Sequence, residues 1–190
     1  MELSQLKVEI SKRMPIERYK HVLRVNETAL SLADQYSVLK EHAEMAALFH
    51  DIAKFNDKEY LRLIIVEENT DSRLLSFHHE LWHASAGAII AHNEFGVRNE
   101  DVLNAIRYHT TGRAGMSKLE KIIYVADMIE PGRDFPGVAR LREIAMEDID
   151  SAMGACIHQS VQFLVSKRVQ VFPDSIDCYN EHVTTKGIVK

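Results

Sequence analysis

The sequence predicts an all-α fold of about seven to eight helices. Apolar residues recur at helical spacing over most of the chain. No stretch alternates with period two for long enough to make a convincing strand. The β-branched runs Ile64-Ile65-Val66 and Ile122-Ile123-Tyr124-Val125 sit inside segments with helical ends, so both read as buried helix faces.

Pro15 suits a first helical turn, where its missing N–H would be unpaired anyway. A helix over 15–36 follows, with Tyr19, Val22, Ala29, Ala33 and Tyr36 near helical spacing. A second, over 40–54, carries Met45, Leu48, Phe49 and Ile52 on one side. Asn56 or Asp57 caps a third, bearing Leu61, Ile64 and Ile65. The fourth spans 79–94 and is stopped by Gly96; the fifth spans 99–110. Ser117 with Glu120 three residues on forms a capping-box pattern that opens the sixth, which ends at Pro131-Gly132. A short helix after Pro136 and a long one over 148–170 complete the count. The tail beyond Phe172-Pro173 is less periodic and is expected to pack back on the body or fray.

At 190 residues and 21.7 kDa the chain has the size of one domain, able to bury a core without disulfides or a structural metal. Hydrophobic residues at 46% and charged residues at 27% exclude disorder, collagen and coiled coil. A net charge of -5 argues against a nucleic-acid binder, so any anionic substrate must meet a local cluster of cations or metal ions. Cys156 and Cys178 have no CxxC spacing and fit a reduced, cytoplasmic chain. The N-terminus lacks the apolar stretch of a signal peptide, and no membrane span is expected. The unusual count is histidine, at 10.

His50-Asp51, in ALFHDIAKF, is the first candidate site. Adjacent residues point about 100° apart on a helix, so the two approach one cavity from neighbouring angles. Alone, such a pair ends a helix at the surface as readily as it builds a site. It is not alone. His21 lies in the first helix, His83 in the fourth, His109 at the end of the fifth and Asp127 in the sixth. Asp127 stands in IIYVADMI among apolar and aromatic neighbours, where an unpaired carboxylate would cost several kcal/mol. It must meet a cation, a metal or a strong donor set. Five helices each delivering a His or Asp is how metal sites are built in helical proteins. Imidazole and carboxylate without thiolate suit Fe, Mn, Co, Ni or catalytic Zn.

The order H…HD…H…H…D, over roughly residues 15–135, resembles the HD-domain metallophosphohydrolases. More narrowly, the chain is similar to the bacterial YqeK family in ALFHDIAKF, HHELWHASAGA, IRYHTTGRAGMSKLEKIIYVADMIEPGR and FPDSIDCYN. The resemblance implies one HD-type domain over 1–190, with a ligand core at about 15–135 and C-terminal helices and a nucleotide-pocket segment at about 136–190. It implies symmetrical hydrolysis of diadenosine tetraphosphate to two ADP, with metal-activated water attacking phosphorus. It places a metal on His21, His50, Asp51 and Asp127, and a second, if one binds, on His83 and His109, which otherwise contact phosphate. Asp51, His83 and His109 are the catalytic candidates. Iron is the favoured ion, with Mn, Co, Ni or Zn as alternatives and one or two ions as the count.

Polyphosphate needs cations. Arg18 is three residues before His21, and Lys54 is three after Asp51, each on its ligand's helix face; Arg133 follows the stop after Asp127. Thr110 offers a hydroxyl beside His109. Arg113 and Lys118 are weaker candidates, as are His78 and His79, while His42, His92, His158 and His182 lack matching partners. By the same resemblance, Gln170, Val171, Phe172, Pro173, Asp174 and Ser175 form a nucleotide pocket, with a turn at Pro173 and Phe172 as a stacking ring. Competing readings are an HD phosphohydrolase of guanosine tetraphosphate, a deoxynucleoside triphosphate or a cyclic nucleotide, or a non-catalytic nucleotide sensor. HHELWHASAG has no Gly-Tyr-Pro, which counts against the cyclic-dinucleotide group. No membrane partner is expected; a homodimer is a candidate assembly.

Overall fold

A computed structural model describes residues 2–68 and 70–183. Ten α-helices follow one another: α1 (Leu3–Ser11), α2 (Ile16–Gln35), α3 (Lys40–Phe49), α4 (Lys58–Glu67), α5 (Trp82–Phe95), α6 (Glu100–Arg107), α7 (Lys118–Ile129), α8 (Val138–Glu147), α9 (Ile149–Ser166) and α10 (Pro173–His182). Two 3-10 turns, Ser72–Ser76 and His79–Leu81, lie between α4 and α5. No strand occurs among the described residues.

The all-α class holds, and the helix count rises from the expected seven or eight to ten. The additions are the short terminal helices. α1 buries only Leu6 and Ile10. α10 starts with Pro173 in its first turn, buries Ser175 and Cys178, and packs on α9. The expected tail thus packs back as a helix, while residues 184–190 lie outside the described chain. The helix expected over 40–54 stops at Phe49. Bonds from Ile52 N–H to Phe49 O and from Lys54 N–H to Asp51 O, each 3.0 Å, turn the chain there instead. The segment expected to start helically at 79 opens with a 3-10 turn before α5.

α7 sits at the centre, touching α2, α3, α6, α8 and α9. That explains its apolar surround: Leu119, Ile122, Ile123, Val125 and Ala126 are all buried. The Ser117–Glu120 capping box opens it as the sequence indicates. α2 and α3 meet through small residues, Ala29 and Ala33 facing a helix that buries Ala43, Ala46 and Ala47. α5 is similarly small-faced, and Gly87 permits a close approach: a Cβ there would lie 3.4 Å from Ile52 and 3.8 Å from the His50 carbonyl. A methyl group there would make ordinary contacts, whereas a longer side chain would push on the turn that carries His50-Asp51. Among the described residues no helix is long and apolar enough to cross a membrane.

Candidate metal centre

Five segments deliver the site. His21 comes from α2, His50 and Asp51 from the turn ending α3, His83 from the first turn of α5, His109 from the turn after α6, and Asp127 from the last turn of α7. His50 and Asp51 are fully buried, and His21, His83 and His109 are nearly so; Asp127 is half-buried.

Asp51 is the hub. Its Oδ2 lies 3.0 Å from His50 Nε2 and 3.8 Å from His21 Nε2. Its Oδ1 lies 3.2 Å from His83 Nε2 and 3.9 Å from His109 Nε2. Two groups share it: His21, His50 and Asp51 offer ligand atoms within 4.8 Å of one another, and so do Asp51, His83 and His109. Asp127 Oδ1 joins the first at 3.0 Å from His21 Nε2.

The imidazoles are oriented in one way. Nδ1 of His50, His83 and His109 bonds the backbone carbonyl three residues back, Ala47 at 2.6 Å, Glu80 at 2.6 Å and Ile106 at 2.7 Å. A carbonyl only accepts, so each Nδ1 carries the proton and each Nε2 presents a lone pair inward. His21 Nδ1 instead faces Glu130 Oε1 at 3.0 Å. Holding the outer nitrogen fixes tautomer and ring angle, as in metal-ligating histidines generally. Meanwhile His21 Nε2, His50 Nε2 and both Asp51 oxygens are buried without a well-directed hydrogen bond. Buried polar atoms are rarely left so, and a divalent cation among them would satisfy the set. The residues therefore fit a metal ion.

Charge in the cation-free pocket agrees. Burial opposes ionisation of Asp51, yet His50, His83 and Arg18 hold its carboxyl well below the usual range. Burial likewise works against charge on His50, but Asp51 and Asp127 raise it above the ordinary histidine value. Burial, with His50 and His83 adding to it, pushes His109 down to about 3, leaving it the neutral imidazole that metals bind. Asp127 is drawn well down against its burial by His21, His50 and Arg133.

Glu130, absent from the sequence-derived candidates, is the principal addition. It is 1% exposed and closes α7 immediately before Pro131. Besides His21 it receives Arg24 Nε at 2.5 Å, Arg24 Nη2 at 3.3 Å and the Gly132 N–H at 2.5 Å. Gly132 is needed for this, since a Cβ there would fall 2.5 Å from Arg24. Arg142 pins the same corner by bonding the carbonyls of Ile129, Glu130 and Arg133. Burial raises the Glu130 pKa, but Arg24, His21 and Gly132 outweigh it and hold it down to about 2, from an ordinary 4.5. A depressed folded-state value stabilises the fold above the unfolded value and loses that effect as pH falls through the folded one. In chelator, thermal stability is therefore expected to decline steeply as pH drops from about 4.5 toward about 2, followed by circular dichroism. An unchanged melting temperature across that window would contradict the assignment.

The expected phosphate cations divide. Arg18 contacts Asp51 directly. Arg133 holds Asp127 twice, Nη2 to Oδ1 at 2.6 Å and Nε to the backbone carbonyl at 2.8 Å. Lys54 pairs with Glu80 at 2.5 Å, near His83. Arg113 is bound to Glu120, and the Lys118 ammonium donates to the Tyr36 carbonyl. A cavity of about 620 Å³ opens beside the centre, lined among others by Glu80, Leu81, Thr110, Leu164, Gln170, Phe172 and Ser175. Thr110 Oγ1 is buried without a partner. Phe172 is buried edge-on against Phe77, with Arg73 over its ring at 5.1 Å. Asp174 turns to Arg73 at 2.7 Å, and Val171 and Pro173 fall outside the cavity wall. His78 lines the 620 Å³ cavity and His79 a neighbouring one, whereas His158 and His182 sit in a separate hollow between α9 and α10.

Scaffold and site together define a helical protein with a buried histidine–carboxylate cluster able to hold a divalent metal ion. The sequence pattern of the HD domain matches residues 18–132. A Bacillus subtilis protein named "Bis(5'-nucleosyl)-tetraphosphatase, symmetrical" is 46% identical over 90% of this chain and 92% of its own length. A Staphylococcus aureus protein of the same name is 38% identical over 95% and 94%. A Clostridium acetobutylicum crystal structure, titled a predicted HD superfamily hydrolase involved in NAD metabolism, superposes with a TM-score of 0.91 at 38% identity, covering 96% of this chain and 97% of that one. The chain belongs to the HD-domain family and, within it, to the YqeK family of these tetraphosphatases.

Proposed function

We infer that this protein hydrolyses diadenosine tetraphosphate symmetrically to two ADP in a metal-dependent reaction. The observation that carries the reading is buried Asp51, both oxygens without a well-directed hydrogen bond, ringed by four histidine Nε2 atoms. The relatives named for this activity, 38–46% identical over most of their length, supply the substrate class.

His21, His50, Asp51 and Asp127 would hold one divalent ion, and His83 and His109, with Asp51 shared, a second. Bound there, such an ion supplies Lewis acidity to a phosphoryl oxygen and acidifies water toward neutral pH. The chain's own groups do the rest. Glu130 and Arg133 keep His21 and Asp127 in place. Arg18 and Lys54 meet phosphate charge, and His83 and His109, whose inward Nε2 atoms carry lone pairs, serve as ligands to the second ion rather than as donors to phosphate. Thr110 Oγ1 offers a further hydrogen bond from the mouth of the large cavity. The cavity walled by Leu81, Leu164 and Phe172 takes one adenosine, with Gln170 and Ser175 presenting polar atoms. Water adds to one of the two central phosphorus atoms, the bridging P–O bond between the central phosphates breaks, and one water is consumed per two ADP formed. Iron is the ion that we propose, the cytoplasm the compartment, a single domain over 1–190 the functional unit and a homodimer its assembly.

Metal-loaded protein mixed with diadenosine tetraphosphate, its products separated by chromatography, tests this. Two ADP and nothing else, abolished by chelation, is the expected result. ATP plus AMP would keep metal-dependent hydrolysis but refute the symmetrical cut. No cleavage with metal bound would redirect the search to other nucleotides or to a sensing role.

A further inference from the structure

A symmetrical cut places the scissile bond at the midpoint of the substrate, with one whole ADP on each side of the centre. Only one half enters the 620 Å³ cavity. A second cavity, of about 250 Å³, opens on the other wall of Glu80, lined by Lys54, Phe55, Lys58, His79 and His83. We propose that it is the subsite for the second nucleotide half, Lys54 and Lys58 meeting its phosphates and the Phe55 ring stacking on its base. The proposal rests on the diadenosine tetraphosphate reading above.

Three observations carry it. His83 belongs both to the metal centre and to this cavity, so a chain of phosphates leaving the centre enters it directly. The cavity carries a net positive charge: two lysines, Lys54 and Lys58, face a single acid, Glu80, which Lys54 already neutralises. That ion pair is half-exposed, and such pairs exchange readily, so a phosphate oxygen can take over Lys54. Phe55, finally, is 52% exposed at the rim, although Ile52 and Ala53 of the same turn are fully buried. An exposed ring flanked by cations is the arrangement that binds nucleotides by stacking and charge. Stacking and charge read no base edge, so this half is recognised with less base discrimination than the half in the large cavity.

The test compares KM and kcat for diadenosine tetraphosphate in the metal-loaded full chain for wild type, Phe55→Ala, Phe55→Tyr and Lys58→Ala. Both positions are exposed, and the melting temperature of each variant serves as the folding control. Phe55→Ala is expected to raise KM about tenfold, the scale of one lost base stack, with kcat within about twofold. Phe55→Tyr restores wild-type KM, and Lys58→Ala raises KM more at low salt than at high salt. Wild-type KM in both alanine variants, or a fall in kcat at constant KM, overturns the subsite and leaves the function standing. A wild-type protein that makes no ADP pair overturns the function and the subsite with it.

Discussion

Asp51→Ala is expected to abolish turnover of diadenosine tetraphosphate, by at least about 10³-fold in kcat, the upper range for losing one group aimed at developing charge. The position leaves no substitute. Oδ2 faces His50 and His21 while Oδ1 faces His83 and His109, so one truncation removes the ligand shared by both groups. It also leaves Arg18, whose Nε is buried without a partner, without its counter-charge. The informative comparison is Asp51→Asn, which keeps shape and one acceptor oxygen but removes the charge. If charge attracts the ion, the asparagine variant loses metal nearly as fully as alanine, read by competition with a chelating dye. Retained turnover in either variant would place the chemistry elsewhere.

The candidate metal ligands are the most legible residues in the sequence, because they are polar groups at positions that an apolar helix does not otherwise tolerate. His50-Asp51 interrupts ALFHDIAKF, and Asp127 interrupts IIYVADMI. What supports them was less legible. Glu130 precedes Pro131-Gly132, where a carboxylate reads as the solvated end of a helix. Its burial arises only because Arg24, 106 residues away in sequence, folds over it. The Nδ1 anchors at Ala47, Glu80 and Ile106 are backbone carbonyls and leave no trace in residue identity. The end of α3 is hidden in the sequence because Ile52 and Ala53 are fully buried and continue the apolar period, although the chain there turns. α1 and α10 bury two residues each, too few to set a period. Of the segment 170–175, expected as a pocket wall, only Gln170, Phe172 and Ser175 face the cavity, since Pro173 begins a helix and Asp174 turns to Arg73.

Glu130→Ala is the substitution expected to do most damage without removing a candidate ligand. The carboxylate collects Arg24, His21 and the Gly132 N–H in a site 1% exposed. Truncation leaves the buried imidazole N–H unpaired, at about 1–3 kcal/mol for a buried donor that water cannot reach, while the N–H of the exposed Gly132 can turn to solvent. Arg24, roughly one-third exposed, likewise recovers part of its loss in solvent, so a net destabilisation of about 2 kcal/mol is expected in the metal-free protein. The second effect is on the ion. With its outer nitrogen released, His21 is free to rotate or to change tautomer, and its Nε2 no longer points reliably at Asp51 and Asp127. Loss of such an outer partner typically weakens metal binding or activity by about 10–100-fold. Glu130→Gln separates the two effects. Its amide oxygen can still accept from His21, so ring orientation is kept while the charge opposite Arg24 is lost. The glutamine variant should therefore recover more of the metal affinity than of the stability. Equal recovery of both would mean that Glu130 acts on the centre only by holding the fold together, and an alanine variant that binds metal as tightly as wild type would remove it from the site altogether.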